Sequence, residues 1–245
     1  MEANVSKKWI QYCNKIQSEI PRIEPINHTG SEYISPYSFI IGIEQLTESN
    51  DIIIPCSSGS AFTLTMQLWR QKLGQIIVTN KSLASMGYGL SGAIGASLAN
   101  PSRRTILIEG DGGFAQNVQE IGTAKINMLN LKVFIFNDQG HASIRMTQRN
   151  YFEGKYLGCD NNTGLGLPNW LKLFDGWDLG VTSINRGFEY DEVFLEKFNN
   201  NSLEIFIVQI DPDQTYFPKI SSRIKEDGTM ESNPLDKMSP EWEMI

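Results

Sequence analysis

The chain has 245 residues, with 28 acidic and 21 basic side chains and a formal charge of −7 at pH 7. That length gives room for one large domain or two small ones, and no basic run marks a nucleic-acid groove or an anionic membrane surface. No apolar stretch is long enough to span a bilayer, and the amino terminus does not resemble a signal peptide. The three cysteines are scattered and lack metal-site spacing, which fits thiols in a reducing compartment. We therefore predict a cytoplasmic protein without nucleic-acid or membrane partners.

The amino-terminal part has the pattern of an arm attached to a larger domain. Residues 7–20 carry apolar side chains at helical spacing, which predicts one amphipathic helix, and the proline-containing stretch 21–30 predicts an extended linker. We expect residues 1–32 to form this helix and linker, and residues 33–210 to form the main domain. Residues 211–245 contain four prolines and few apolar anchors. We expect them to form an irregular tail that packs on the surface or on a partner.

Within the main domain, helical patterns alternate with short apolar runs. This alternation is typical of βαβ units, so we predict an α/β fold: a single, doubly wound domain with a mostly parallel sheet and helices on both faces. The Gly- and Asn-rich residues 151–166 predict a loop long enough to act as a mobile cover. The predicted helices span residues 35–47, 62–69, 85–96, 115–128, 142–150, 168–174 and 190–198, and the predicted strands span residues 51–54, 75–79, 106–108, 133–136, 179–184 and 203–210.

Two of the predicted strands end in turns that contain an acidic residue. Asp111 lies in a glycine-rich turn after one strand, and Asp138 lies in a polar turn after the next. Parallel strands place both turns at the carboxyl edge of the sheet, where α/β proteins bind ligands. Two carboxylates, with backbone carbonyls and amides nearby, suit a hard cation that holds a phosphate ester. The alternative for Asp138 is an acidic cap on a surface turn.

A third turn, residues 56–61, follows the first predicted strand and leads into a helix. Its residues are small and polar, and the start of a helix offers unpaired N–H groups to an anion. The turn is therefore a candidate phosphate site, although an ordinary strand-to-helix turn would have the same composition.

These turns resemble the signature of thiamine-diphosphate enzymes. That signature is Gly-Asp-Gly, about two dozen residues, then Asn-Asn; here Gly110-Asp111-Gly112 is followed by 24 residues and then Asn137-Asp138. The closest similarity is to the acetolactate-synthase-like branch, whose pattern matches Asp111-Gly112-Gly113-Phe114, Asn117-Val118-Gln119-Glu120 and Thr123-Ala124. Residues 85–96 also resemble that branch, with Ser91 where proline is usual and Gly92 in place of alanine.

The resemblance implies two cofactors, thiamine diphosphate and Mg²⁺. In such enzymes a bulky residue at the position of Met86 wedges beneath the cofactor and bends it, whereas the alternative for Met86 is core filler. Backbone groups near Ala84 and Met86 would hold the aminopyrimidine, and Gly140 would offer its carbonyl oxygen to the metal. The implied cofactor-binding residues are Gly59, Ser60, Ala61, Ala84, Met86, Gly110, Gly112, Gly113, Gln139 and His141, and the implied metal ligands are Asp111, Asp138 and Gly140.

The chain departs from the family pattern at two of these positions. Asp138 stands where asparagine is usual, and His141 replaces the more usual tyrosine. The helix that follows faces the substrate in the family, so Gln139, His141, Ile144 and Arg145 are candidate neighbours of the reaction. Arg145 has two interpretations: a partner for a substrate carboxylate, or an exposed helix arginine.

The resemblance covers only the diphosphate-and-metal half of such an enzyme, essentially residues 33–210. The other half of such an enzyme is a pyrimidine domain that carries an activating glutamate. Glu120 is not expected to be that glutamate, because it follows the metal turn and would lie on the wrong side of the cofactor. We therefore expect the pyrimidine domain on a separate chain in an oligomer. The implied reaction is decarboxylation of a 2-oxo acid, with or without ligation to a second carbonyl. Two alternatives are a non-catalytic cofactor-binding or regulatory module and an α/β domain for another phosphorylated ligand.

Overall fold

A six-stranded sheet forms the centre of the molecule in the computed structural model, which describes residues 6–234 and 237–239. The strand order is β2-β1-β3-β4-β6-β5, and every neighbouring pair is parallel. The strands are β1 (Ile52–Ile54), β2 (Ile76–Ile77), β3 (Thr105–Gly110), β4 (Leu131–Asn137), β5 (Val181–Ile184) and β6 (Glu204–Gln209). All six strands were predicted.

Helices cover both faces of this sheet. Alternate residues of each strand point to opposite faces, so β4 sends Phe134 and Phe136 into one core and Val133 and Ile135 into the other. The doubly wound α/β fold with a parallel sheet is therefore confirmed. The helices are α1 (Lys7–Glu19), α2 (Pro36–Leu46), α3 (Gly59–Leu68), α4 (Tyr88–Ala99), α5 (Asp111–Phe114), α6 (Ile121–Ile126), α7 (Ala142–Tyr151), α8 (Trp170–Asp175) and α9 (Glu192–Asn199).

The order of the strands creates a crevice between β1 and β3. From β1 the chain passes through α3, on one face, to the edge strand β2, whereas from β3 it passes through α5 and α6, on the other face, to β4. The connections that follow the two neighbouring strands β1 and β3 thus run in opposite directions along the sheet. Such a point in an α/β sheet is where ligands usually bind.

One predicted helix is wrong in detail. Instead of a continuous helix over 115–128, the chain forms α5, a 3₁₀ segment over Ala115–Glu120, and α6. The break is at Asn117, whose backbone leaves the helical region (φ −140°, ψ 22°). Its side-chain amide donates to the carbonyl oxygen of Gly87 at 3.3 Å, a tertiary contact that competes with regular helix formation.

Helices α3 and α4 begin three residues away from their predicted starts. Helix α3 begins at Gly59 rather than at residue 62, so the small residues of the predicted turn form the first turn of the helix. Helix α4 begins at Tyr88, which leaves residues 85–87 in the preceding loop.

The predicted amino-terminal helix is present as α1. Among the described residues of α1 none is buried, and Trp9, Ile10 and Tyr12 expose much of their side chains. No helix in the described part of the chain is both long and apolar enough to cross a membrane.

The predicted irregular tail contains regular structure. Four short strands form two antiparallel pairs, β7 (Lys219–Ile220) with β10 (Met238–Ser239) and β8 (Ser222–Ile224) with β9 (Met230–Ser232). The tail begins by packing on the main domain, because the carbonyl oxygen of Phe217 accepts hydrogen bonds from Tyr37 Oη at 2.6 Å and Asn27 Nδ2 at 3.0 Å. Residues 1–5, 235–236 and 240–245 lie outside the described residues, and the division of the chain at residues 32 and 210 stays a prediction.

Phe134 tests the importance of the core on the α2 side of the sheet. Its fully buried ring lies 4.8 Å from the Phe206 ring and 5.2 Å from the Phe39 ring, between centroids. We expect Phe134→Ala to lower the free energy of unfolding by about 3–5 kcal/mol, because the lost contacts leave a cavity. Urea unfolding measures this, with Phe152→Ala (57% exposed) as the control. Equal losses for the two variants would contradict the assignment of Phe134 to the core.

Candidate functional site

A cavity lies at the carboxyl edge of the sheet, where the crevice between β1 and β3 opens. Most of the residues that the sequence nominated contribute to its walls. They come from the turns after β1, β3 and β4 and from the loop before α4. These predicted residues are Gly59, Ser60, Met86, Gly110, Gly112, Gly113, Asp138, Gly140 and His141.

The acidic residues of the two turns meet at one side of this cavity, where Asp138 lines the wall and Asp111 is buried next to it. Asp111 is fully buried and Asp138 nearly so, and their carboxyl groups lie within hydrogen-bonding reach of each other. Asp111 accepts hydrogen bonds from the backbone N–H of Gly112 at 2.7 Å and of Gly140 at 3.2 Å. Asp138 Oδ1 is buried and has no hydrogen-bond partner among the described residues. The alternative of an exposed, acid-capped turn for Asp138 is therefore wrong.

Both acids are held in an environment that disfavours their charge. Burial raises the pKa of Asp111 to about 7, although the N–H groups of Gly112 and Gly140 oppose the change. Burial also raises the pKa of Asp138 well above its ordinary value, and the neighbouring Asp111 carboxyl adds to the effect. Two buried like charges cannot both ionise without compensation. A cation between them would supply that compensation.

Two glycines allow the turns to approach this closely. A Cβ on Gly112 would lie 2.3 Å from His141 Nδ1 and 3.0 Å from the carbonyl oxygen of Gly140. Gly140 has φ +146°, and a Cβ there would lie 2.1 Å from the carbonyl oxygen of Cys159. No side chain larger than hydrogen fits at either position without displacing backbone or the imidazole. The Gly140 carbonyl oxygen therefore lies close to Gly112, the residue after Asp111.

Another part of the cavity wall is formed by the starts of two helices. Gly59 and Ser60 open α3, and Ala142 and Ser143 open α7. Within the described part of the chain neither helix has a side chain that caps its first N–H groups. Unpaired N–H groups and the helix dipole favour an anion at this wall.

Met86 lies at the edge of the cavity rather than in a core. Its side chain is 46% exposed, and it lines the cavity from the loop that precedes α4. The alternative that Met86 merely fills a core is therefore wrong. Its position suits contact with a ligand that extends beyond the acidic pair.

Four nominated residues are not part of the cavity wall in the described structure: the fully buried Asp111 and three others. Ala61 is buried in the core on the α2 side, because the first turn of α3 directs it toward the sheet. Ala84 lies in the loop before α4 and does not contact the cavity. Gln139 lies between two wall residues but points the other way, into neighbouring depressions that it shares with Asn161.

Arg145 fits neither of its two interpretations. It is buried, and Nη2 donates to the carbonyl oxygen of Asp138 at 2.7 Å while Nε donates to that of Pro212 at 3.2 Å. Nη1 also lies 3.7 Å from the Asp160 carboxylate. The guanidinium therefore ties the turn after β4 to the tail and to the loop after α7, and Ile144 rather than Arg145 faces the cavity.

Three polar residues of the cavity wall were not predicted as site residues from the sequence: Ser143, Glu109 and Tyr216. Glu109 left a signal, since a single acid in an otherwise apolar strand is unusual; burial raises its pKa to about 8. Ser143 also left one, because it opens a helix directly after a strand-end turn. Tyr216 left none, since it lies six residues beyond the predicted domain.

The family comparison agrees with this geometry. Residues 57–208, more than half of the chain, match the family model described as "Thiamine pyrophosphate enzyme, C-terminal TPP binding domain". The chain belongs to this family. The matched TPP-binding domain contains five of the six sheet strands and all the acidic and glycine-rich turns of the cavity.

Among curated relatives, the TPP-binding domain is similar to large subunits of acetolactate synthase. The chain is 27% identical to the isozyme 1 large subunit of Escherichia coli K12 over 220 residues, which is 90% of this chain and 38% of that protein. It is 31% identical to acetolactate synthase 1, chloroplastic, of Nicotiana tabacum over 154 residues, 61% of this chain and 23% of that protein. The chain thus spans well under half the length of these relatives.

A solved structure has the same fold. The thiamine diphosphate-dependent 4-hydroxybenzoylformate decarboxylase of Rhodococcus jostii RHA1 superposes with a TM-score of 0.67 at 17% identity, over 80% of this chain and 36% of that one. At this identity the similarity concerns the fold alone.

The acidic pair predicts a pH-dependent stability for the metal-free TPP-binding domain. The folded chain holds carboxyl protons near pH 7 that the unfolded chain has released, so its free energy of unfolding falls as pH rises through about 7. We expect Asp111 alone to contribute a loss of about 1 kcal/mol from about pH 6 to about pH 8, and Asp138 to add to it in the same direction. The free energy of unfolding of Asp138→Asn should fall less over this range. The variant has one acid fewer, and its Asp111 can ionise at lower pH.

Urea unfolding in a chelating buffer at both pH values measures this difference. Glu109, with its raised pKa of about 8, contributes in the same direction in both proteins and cancels in the comparison. Parallel pH profiles for the variant and the wild type would show that the two acids do not interact.

Proposed function

We propose that this chain is the thiamine-diphosphate- and Mg²⁺-binding half of a 2-oxo-acid decarboxylase or carboligase of the acetolactate-synthase type. A pyrimidine domain of another subunit would complete the site. The observation that carries the proposal is that the buried pair Asp111–Asp138 and two helix starts without side-chain caps lie at one cavity, an arrangement that suits a cation beside an anion. The family match and the similarity to acetolactate synthase large subunits support it.

The metal would be held by oxygen atoms alone. Asp111 and Asp138 offer carboxylates, the unpartnered Asp138 Oδ1 among them, and Gly140 offers its carbonyl oxygen. No group of three or more His, Cys, Asp or Glu side chains suited to a metal occurs in the residues described, so the protein would fill only part of the coordination shell. Diphosphate oxygens and water would fill the rest, which is how Mg²⁺ usually binds. Aspartate at 138, where asparagine is usual, adds a charge that would strengthen the metal's hold.

The diphosphate would lie between the acidic pair and the starts of α3 and α7. The first N–H groups of α3 and α7, with the backbone of Gly112 and Gly113 beneath, would surround the phosphate oxygens. His141 packs over Gly112, and burial lowers its pKa, with Arg145 adding to the effect. The neutral imidazole therefore shapes the wall without adding a second cation there.

The remaining part of the cofactor would extend past Met86, whose half-exposed side chain can support it from below. Bound thiamine diphosphate supplies the electron sink for decarboxylation of a 2-oxo acid. This chain would anchor the diphosphate, orient the rings and exclude water. Glu120 does not supply the activating acid, since its carboxylate accepts from Thr123 Oγ1 at 2.9 Å beside α6, away from the cavity. That acid would come from the partner subunit, in an oligomer that we place in the cytoplasm.

Asp111→Asn tests the metal site directly. We expect the wild type to bind thiamine diphosphate with Mg²⁺ and much more weakly with EDTA, and the variant to bind about 100-fold more weakly than the wild type with Mg²⁺, because one buried charged ligand is lost. Isothermal titration calorimetry measures the affinity for thiamine diphosphate in each of these cases. Asp178→Asn is the matched control, since that side chain is 95% exposed.

The outcomes separate the parts of the proposal. Equal affinity with Mg²⁺ and with EDTA would contradict the metal site but not the cofactor. No binding of thiamine diphosphate by the wild type under either condition would contradict the proposed function and favour another phosphorylated ligand.

Activity is expected only from a two-part system. Neither this chain nor a chain that carries a pyrimidine domain should release carbon dioxide from pyruvate alone, whereas their mixture with thiamine diphosphate and Mg²⁺ should. Candidate partners are chains with a pyrimidine domain encoded beside this one. Decarboxylation by this chain alone would show that the activating acid lies within it.

A further inference from the structure

The beginning of the tail forms part of the cavity wall. Residues 211–218 leave the end of β6 and lie outside the part of the chain that the family model matches, residues 57–208. Tyr216 is nonetheless only 6% exposed, and its side chain lines the cavity. The segment is fixed on both sides of this residue, by Arg145 bound to the carbonyl oxygen of Pro212 and by Tyr37 bound to that of Phe217.

The Tyr216 hydroxyl meets two serine hydroxyls at the helix starts. Tyr216 Oη lies 3.4 Å from Ser143 Oγ, and Ser60 lines the same cavity beside it. Ser143 lies in the first turn of α7 and Ser60 in the first turn of α3, and each of these helices has ten residues. Three hydroxyls from segments far apart in sequence therefore surround the point where two helix starts face each other.

This cluster is rich in hydrogen-bond donors. The first N–H groups of both helices can only donate, and each hydroxyl can donate one proton. Burial raises the pKa of Tyr216 to about 12, and the nearby Asp138 carboxyl adds to the effect, so the phenol keeps its proton at neutral pH. The 3.4 Å contact to Ser143 is long for an O–H···O hydrogen bond, which leaves the phenol proton free for a better acceptor. An oxygen with negative charge is the acceptor that such a cluster favours.

We propose that Tyr216 donates a hydrogen bond to a phosphate oxygen of the bound diphosphate, together with Ser60 and Ser143, and thereby favours diphosphorylated over unphosphorylated thiamine. This inference rests on the proposed function. It also assigns the tail a direct part in the binding of the ligand.

Tyr216→Phe tests the inference because it removes the hydroxyl and keeps the ring in place. We measure the affinities of wild type and variant for thiamine diphosphate, inorganic pyrophosphate and thiamine, each with Mg²⁺, by isothermal titration or competition. The variant should bind thiamine diphosphate and pyrophosphate about tenfold more weakly, the expected loss for one hydrogen bond to a charged group, and should bind thiamine unchanged. Ligand-free thermal unfolding should be unchanged. Tyr190→Phe is the matched control, because Tyr190 is 87% exposed.

Further outcomes decide between a binding role and a structural one. If the wild type binds thiamine diphosphate and Tyr216→Phe binds it equally well, the inference is wrong while the proposed function stands. If the wild type binds neither thiamine diphosphate nor pyrophosphate, the proposed function is wrong, and the inference about Tyr216 is wrong with it. A variant that does not fold, or that weakens thiamine binding as much as diphosphate binding, would show that the hydroxyl only stabilises the tail. Ser143→Ala combined with Tyr216→Phe should weaken pyrophosphate binding by a factor different from the product of the single effects, since neighbouring donors share one ligand.

Discussion

The parallel register of β3 and β4 is the constraint on which the site depends. Gly110 pairs with Phe136, so both strands release their chains at nearly the same level of the sheet edge. The turns that follow must therefore share a small volume, and each brings an acid into it. Placing Asp111 and Asp138 together without water costs free energy, which only hydrogen bonds and a counter-charge can offset. The glycines, the backbone N–H groups and the oriented carbonyl of Gly140 all serve this arrangement.

In the part of the chain that the structure describes, no side-chain cation forms an ion pair with either acid. Arg145 is close, but its guanidinium is engaged by the carbonyl oxygens of Asp138 and Pro212 and by Asp160. It stabilises the backbone of the turn and lowers the pKa of Asp138 only in part. The acidic pair lacks a positive charge, and the starts of α3 and α7 have unpaired hydrogen-bond donors. Together they are complementary to a metal-bound phosphate ester. Each half of the cavity would be poorly satisfied without that ligand.

The sequence predicted the parts of the structure that depend on local pattern. Apolar runs located all six strands, and the spacing of Gly110-Asp111-Gly112 from Asn137-Asp138 located the acidic pair, because strand periodicity and turn composition act over a few residues. The break at Asn117 was not predictable, since it depends on a hydrogen bond to Gly87, thirty residues earlier in the chain. The burial of Arg145 and the position of Tyr216 depend on where the tail crosses the sheet edge. No local pattern encodes that path.

The carbonyl oxygen of Phe217 accepts from Asn27 in the linker and from Tyr37 in α2. One backbone atom thus joins the segment before the sheet to the segment after it, directly beside the tyrosine that lines the cavity. Tyr216, next to this carbonyl group, is therefore held in the cavity wall by contacts from both the linker and α2. Any contact of its hydroxyl with a ligand would depend on the amino-terminal segment as well as on the sheet.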